Sequence, residues 1–242
     1  MELTPMDCLL LRLDAPLMSF GSVVVDQLNP TWRFPARSML VGLLGNALGW
    51  DHRDADRLHA LQDRLRFAAR WDAEPEPLTD YQTVDLGQDF MCDTGWTTRG
   101  RREDRGKGDA TRGTHIRSRD HWANGVATVA VALDGDGDPT PDALQAALRT
   151  PARPLFFGRK PCLPAAPLLI GRRHAAGVKA ALAAEPLADV APRRRPVRIA
   201  ALWPQDEGDG AQTEERYDRR DWTHNVHRGS ERYAVGFLEI TA

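Results

Sequence analysis

Arg33-Phe34-Pro35-Ala36-Arg37-Ser38-Met39-Leu40-Val41-Gly42-Leu43-Leu44-Gly45-Asn46-Ala47-Leu48-Gly49 hands a loop over to an apolar helix. Proline is favoured in the first helical turn, where its missing N–H would have no partner. The free N–H groups of that turn give the helix mouth a partial positive charge. With Arg33, Arg37 and the Ser38 hydroxyl beside it, this mouth reads as a seat for phosphate. An ordinary helix mouth, which binds water and a capping side chain, has the same local signature.

Upstream, Cys8 to Leu13 is apolar apart from Arg12 and reads as a central strand, so strand and helix make one β-α step. Downstream, Leu58, Leu61 and Leu65 recur at helical spacing, and Phe67, Ala69 and Trp71 then alternate as a strand does. Gly125 to Leu133 is β-branched and apolar, and Thr140-Pro141 supplies an N-cap and a first-turn proline for a helix over 142–149. Leu155-Phe156-Phe157 reads as the closing strand. The order β, α, β, β, α, β is the split, ferredoxin-like arrangement of an α+β fold, shared with many RNA-binding modules. The expected division is a core over 1–163 and a smaller β-containing unit over 164–242, with strand-like stretches at Val197–Trp203 and Tyr233–Ile240.

An insertion over about 79–121 interrupts that core. From Arg99 to Arg119, eight basic residues stand against three acidic ones, which gives +5 inside a chain whose net charge is -2. Glycines at 100, 106, 108 and 113 keep its tip flexible, and Tyr81, Phe90, Trp96 and Trp122 set aromatic rings near its base. Guanidinium groups neutralise phosphates and stack on bases, so a basic finger with aromatic roots suits single-stranded RNA. A solvated, unstructured loop has the same composition. After the Leu155–Phe157 stretch, Gly158-Arg159-Lys160 lets backbone approach a phosphate closely with two cations at hand.

With 27% charged residues and a pI near 6.4, the 242-residue chain has no global basic field, so any nucleic-acid surface must be local. Cys8, Cys92 and Cys162 lie too far apart in sequence for a zinc knuckle or a disulfide framework, and a reducing cytoplasm fits best. The longest apolar run, Leu40 to Trp50, is interrupted by glycine and too short for a bilayer, so no membrane partner is expected. A P-loop, a G-x-G-x-x-G turn and a G-x-S-x-G elbow are absent from the sequence, and no cofactor or metal is expected. Tyr81, His115, His121 and Lys160 have the side chains that cleavage of RNA through its own 2′-hydroxyl requires, though no spacing demands that role.

Taken together, Leu11-Arg12-Leu13-Asp14-Ala15-Pro16-Leu17-Met18-Ser19-Phe20-Gly21, Arg33 to Ser38 with the helix Leu40 to Gly49, Asp80-Tyr81-Gln82-Thr83-Val84 and Phe157-Gly158-Arg159-Lys160-Pro161-Cys162 resemble the CasD family. That family supplies the subunit of the type I-E CRISPR Cascade complex that holds the 5′ handle of the guide RNA. The resemblance spans about residues 8–171 and implies a ferredoxin-like core with the 79–121 insertion as a thumb. It implies that the protein caps one end of a backbone filament of CasC-like subunits, touches a CasA-like large subunit, and meets target DNA only through the complex. The RNA-contacting residues carried over are Arg33, Arg37, Ser38, Gln82, Arg159 and Lys160, to which Arg117, Arg119 and Trp122 of the thumb are added. Where the family has Asp-Tyr-His-Thr, this chain has Asp-Tyr-Gln-Thr, and Gln82 cannot act as acid or base near neutral pH. A non-catalytic RNA-binding and assembly subunit is therefore expected. The alternative is a metal-independent endoribonuclease that processes CRISPR repeat RNA, as in type I-C relatives.

Overall fold

The computed structural model describes residues 5–85, 95–96, 102–103 and 114–241. Within them the strands are β1 (Met6–Asp14), β2 (Leu17–Met18), β3 (Leu28–Asn29), β4 (Leu65–Ala73), β5 (Glu76–Asp85), β6 (Gly95–Trp96), β7 (Arg102–Glu103), β8 (Thr114–Ala123), β9 (Val126–Leu133), β10 (Leu169–Ala175), β11 (Ala200–Pro204), β12 (Gln212–Arg216), β13 (Arg220–Asp221), β14 (Val226–His227) and β15 (Glu231–Phe237). The helices are α1 (Arg37–Ala47), α2 (Ala55–Arg64), α3 (Pro141–Arg149) and α4 (Val178–Ala183).

Seven strands form one sheet in the order β10-β1-β9-β4-β11-β15-β12, and every neighbouring pair in it is antiparallel. Both faces of its centre are covered, which is why β1 and β9 are apolar almost throughout rather than alternating. Leu9, Leu11 and Leu13 of β1, with Phe67 and Trp71 of β4, pack beneath α1, α2 and α3. Cys8, Leu10, Ala68, Ala130, Ala132, Ala201 and Ala234 make the other face, where their small side chains let α4 seat Val178, Ala181 and Leu182 closely. Thr140 caps α3 as its sequence implies, accepting a hydrogen bond from the Ala143 N–H.

Three expectations need correction. Pro35 lies ahead of α1 and not in its first turn, because Ala36 is the residue at the cap. Leu155-Phe156-Phe157 is not a strand. Phe157 N–H donates to the Cys162 carbonyl at 2.8 Å and Cys162 N–H to the Arg159 carbonyl at 2.9 Å, so this stretch enters a turn that buries Leu155 and Phe157. The strand after α3 is β10, which pairs with β1 along the sheet edge. Residues beyond 163 thus supply β10, β11, β12 and β15 to the same sheet as β1, and the sheet runs across the expected boundary at 163/164.

A second sheet is built on β8, with β2, β3 and β5 paired to it. β5 and β8 run antiparallel from Glu76 opposite Ala123 to Asp85 opposite Thr114. Arg99, Arg101, Arg105, Lys107 and Arg112 and the ring of Phe90, all part of the basic-finger expectation, lie outside the described residues, as does Cys92. Arg102 and Trp96 are described as backbone of the short β6/β7 ladder only.

Candidate nucleic-acid interface

The mouth of α1 is already occupied by the protein's own acids. Arg37 is 6% exposed; its Nε meets Glu231 at 2.5 Å, while its amino groups donate to Glu231, to the Gln62 carbonyl at 2.7 Å and to the Leu65 carbonyl. Ser38 gives its hydroxyl and its N–H to the carboxylate of Asp218, the N–H bond at 3.1 Å. Burial raises the Asp218 carboxyl above its ordinary value, opposed by those two bonds from Ser38. Arg33 pairs with Glu74 at 2.9 Å at the surface. The phosphate seat expected at this mouth therefore holds an internal carboxylate, which satisfies the same N–H groups without a ligand. Among the three residues placed there, Arg37 has no side-chain donor turned outward.

The remaining candidates fall along the second sheet and the 157–162 turn. Gln82 on β5 donates to Asp80, and opposite it Arg117 on β8 donates to the Asp26 carbonyl at 2.7 Å. Trp122 is a packing residue and not a free stacking platform. Its Nε1 donates to the Trp32 carbonyl at 2.7 Å and its ring stands edge-on to Trp71, 6.4 Å between centroids. Arg159 reaches back to the Asp120 carbonyl at 2.9 Å, the Asn29 carbonyl at 2.8 Å and His121 Nε2 at 3.2 Å. Arg119 lies close enough that its charge, after burial, lowers the proton affinity of Arg159. His121 is itself lowered from 6.5, first by burial and then by Arg159. Lys160 stands exposed beside this cluster.

Gly158 is what allows that turn. Its φ is +86°, a left-handed conformation, and a Cβ there would overlap the Ser19 carbonyl oxygen. The turn, the loop around Ser19–Ser22, the exposed side of α1 and the C-terminal stretch 217–227 enclose a cleft of ≈ 490 Å³. Arg153, Arg159 and Arg220 line it, and none of them has a carboxylate within ion-pair distance among the described residues. Arg153 bonds the Trp50 and Gly49 carbonyls, at 2.6 and 2.8 Å, and Arg220 is lowered in proton affinity by burial. The two acids on the same wall are engaged elsewhere, Asp218 by Ser38 and Asp51 by Arg53 at 2.6 Å. Trp32, Trp50, Phe156, Tyr217 and Trp222 supply rings to the cleft, and Tyr217 is 59% exposed.

Arg220 Nε and Trp222 Nε1 are buried and have no hydrogen-bond partner among the described residues. A donor left so costs about 1–3 kcal/mol. The backbone carrying them is fixed. Arg220 N–H donates to Gln62 Oε1 and the Arg220 carbonyl accepts from Gln62 Nε2, both at 3.0 Å, and Trp222 N–H donates to His59 Nε2 at 2.9 Å. Sequence reading missed Tyr217, Arg220 and Trp222, because they sit in and beside the two-residue strand β13, which is too short to show a periodicity. The visible sign was a tryptophan inside a charged stretch, Asp221-Trp222-Thr223.

The family described as CRISPR-associated protein (Cas_Cas5) matches residues 8–233, and the chain belongs to that family. One relative is the CRISPR system Cascade subunit CasD of Escherichia coli (strain K12), 32% identical over 176 residues, which are 72% of this chain and 75% of that protein. A chain of a CRISPR RNA-guided surveillance complex superposes with a TM-score of 0.69 at 25% identity, over 96% of this chain and 90% of that one. A crystal structure of a Cas protein shares the fold, with a TM-score of 0.60 at 23% identity over 96% and 95% of the two chains. Among the described residues no helix is long and apolar enough to cross a membrane, and no group of three metal-ligating side chains occurs.

Proposed function

We propose that this protein is a cytoplasmic, non-catalytic subunit of a type I-E Cascade complex that holds the 5′ handle of the crRNA and caps the backbone filament. The observation that carries the reading is one cleft in which three arginines, without ion-pair partners among the described residues, stand among aromatic side chains that include Trp32, Trp50, Tyr217 and Trp222. Uncompensated guanidinium groups favour phosphates and the rings favour unpaired bases, a combination suited to single-stranded RNA. The order β10-β1-β9-β4, with α1 and α3 in the crossings, supports a ferredoxin-like core, and the β5/β8 pair supports a thumb over about 79–121. CasC-like and CasA-like subunits are its protein neighbours in this reading, and target DNA is reached through them.

Arg159, Lys160, Arg119 and Arg117 remain RNA candidates, with Arg33 and Gln82 at the margins; Arg153 and Arg220 join them. Both ring nitrogens of His121 face partners, the Arg119 carbonyl at 3.0 Å and Arg159, which favours binding over acid–base chemistry. About six phosphate contacts on single-stranded RNA give a log–log salt slope on the order of -4. In a fluorescence-anisotropy titration against handle RNA, Arg159→Ala is expected to reduce that slope by roughly 0.7. An unchanged slope removes Arg159 from the RNA surface. A discrete product from labelled repeat RNA incubated in EDTA would overturn the non-catalytic reading.

A further inference from the structure

Beyond α4 the chain crosses the α4 face of the main sheet and ends in an arginine-rich strap, Arg193-Arg194-Arg195-Pro196-Val197-Arg198. Its approach is held from beneath. On β4, Arg70 and Asp72 alternate with Ala69 and Trp71, which face α1. Arg70 donates to the Glu185 and Pro186 carbonyls at 2.8 and 2.9 Å, and Asp72 accepts from the Ala188 N–H at 2.9 Å. Ala188 and Val190 pack on Ala73 and Val126. The strap is then tied down along its length. Arg193 pairs with Asp14 at 2.8 Å, the Arg194 carbonyl accepts from the Glu74 N–H at 2.9 Å, and Arg195 donates to the Ala188 carbonyl at 3.1 Å.

The acids around the strap are already engaged: Asp72 by Arg70 at 2.7 Å, Asp14 by Arg193, Glu74 by Arg33, and Asp189 by the Ala191 N–H at 3.3 Å. Arg194, Arg195 and Arg198 are exposed and have no carboxylate within ion-pair distance among the described residues. None of the three lines the cleft. Phe237, a ring beside them, is half-exposed, but the Arg198 guanidinium stands over it 3.6 Å from the centroid. The strap therefore offers charge on a fixed backbone rather than a platform for unpaired bases, and that suits the phosphates of a duplex, whose bases are stacked away inside it.

We propose that the 193–198 strap is a second nucleic-acid surface, separate from the cleft, which holds the phosphate backbone of a duplex through Arg194, Arg195 and Arg198 without reading its sequence. This goes beyond the handle-binding reading and stands without it. DNA and RNA duplexes present the same phosphate chemistry, and the two are the arms of the test.

The test titrates the full-length protein against labelled random-sequence DNA and RNA duplexes, and against handle RNA, at several low salt concentrations. Three phosphate contacts on a duplex give a log–log salt slope on the order of -2.7, and each Arg→Ala change in the strap is expected to reduce it by about 0.9. The triple Ala variant is expected to weaken duplex binding about ten-fold or more while leaving handle-RNA affinity at the wild-type value. Arg159→Ala is expected to do the reverse. The triple Lys variant keeps the charge and is expected to keep the slope. If the triple Ala variant does not fold by circular dichroism, Arg194→Ala, which spares the backbone bond to Glu74, decides alone. The duplex that binds more tightly names the source. Three results overturn the strap: a wild type that binds neither duplex, duplex binding unchanged by the Ala variants, or equal losses for duplex and handle RNA, which would make strap and cleft one surface. Duplex binding without handle-RNA binding overturns the handle reading and leaves the strap standing.

Discussion

Arg37 gives its guanidinium to Glu231, Gln62 and Leu65, and Arg159 gives its own to backbone carbonyls beside an open cleft. Replacing Arg37 with Ala leaves Glu231 with the Tyr233 hydroxyl but no cation, and takes a donor from two buried carbonyls. Urea unfolding of Arg37→Ala is therefore expected to show a loss of about 3 kcal/mol or more, with an unchanged salt slope for RNA. His121 behaves differently. Burial and Arg159 hold its proton affinity below 6.5, so the unfolded chain takes up a proton more readily than the folded one. The stability tied to this residue is complete above about pH 6.5 and declines as the pH falls from there toward the lowered folded-state value. Thermal unfolding at pH 7 and pH 5 is expected to show a smaller drop for His121→Gln than for the wild type; an equal drop excludes His121 as the cause. Residue type alone makes Arg37 and Arg159 look equivalent, and only the approach of Glu231, 194 positions away in the chain, separates them.

At the level of elements, the legible parts were those with strong periodicity or a recognisable cap: β1, α1, α2, β4, β9 and α3 all lie close to where their patterns place them. β10 was hidden because it is an edge strand whose Arg172 and His174 face solvent and whose Arg172 pairs with Asp7 at 2.5 Å. Leu155–Phe157 misled for the opposite reason, since three apolar residues can bury themselves in a turn as well as in a strand. That turn depends on Gly158. Gly158→Ala would combine a strained left-handed residue with an overlap at Ser19, and is expected to cost about 2 kcal/mol or more. Calorimetry measures that cost, and a wild-type unfolding temperature would show that the turn relaxes elsewhere.

For the whole molecule, a net charge of -2 conceals a local arrangement in which, among the described residues, arginines such as Arg37, Arg66 and Arg70 are paired with carboxylates and the three of the cleft are not. Composition cannot convey this, because pairing is a property of the fold. The C-terminal third is partly legible in sequence, where Val197–Trp203 and Tyr233–Ile240 overlap β11 and β15, and its joining to the main sheet is visible only in the structure. Arg216, 1% exposed on its side chain, binds the Phe34 and Pro35 carbonyls at 3.2 Å and so ties β12 to the entrance of α1. A chain ending at residue 163 would leave β1 and β4 without their outer neighbours β10 and β11. It is expected to be insoluble or rapidly digested in limited proteolysis, whereas a stable 1–163 fragment would restore the two-unit division.

Tyr217, Arg220 and Trp222 also depend on a strand that follows them in the chain. β15 must insert between β11 and β12 before their wall is held in place. The cleft thus closes only after the sheet does, so a slip in the register of β15 would reach the cleft without altering any residue that lines it.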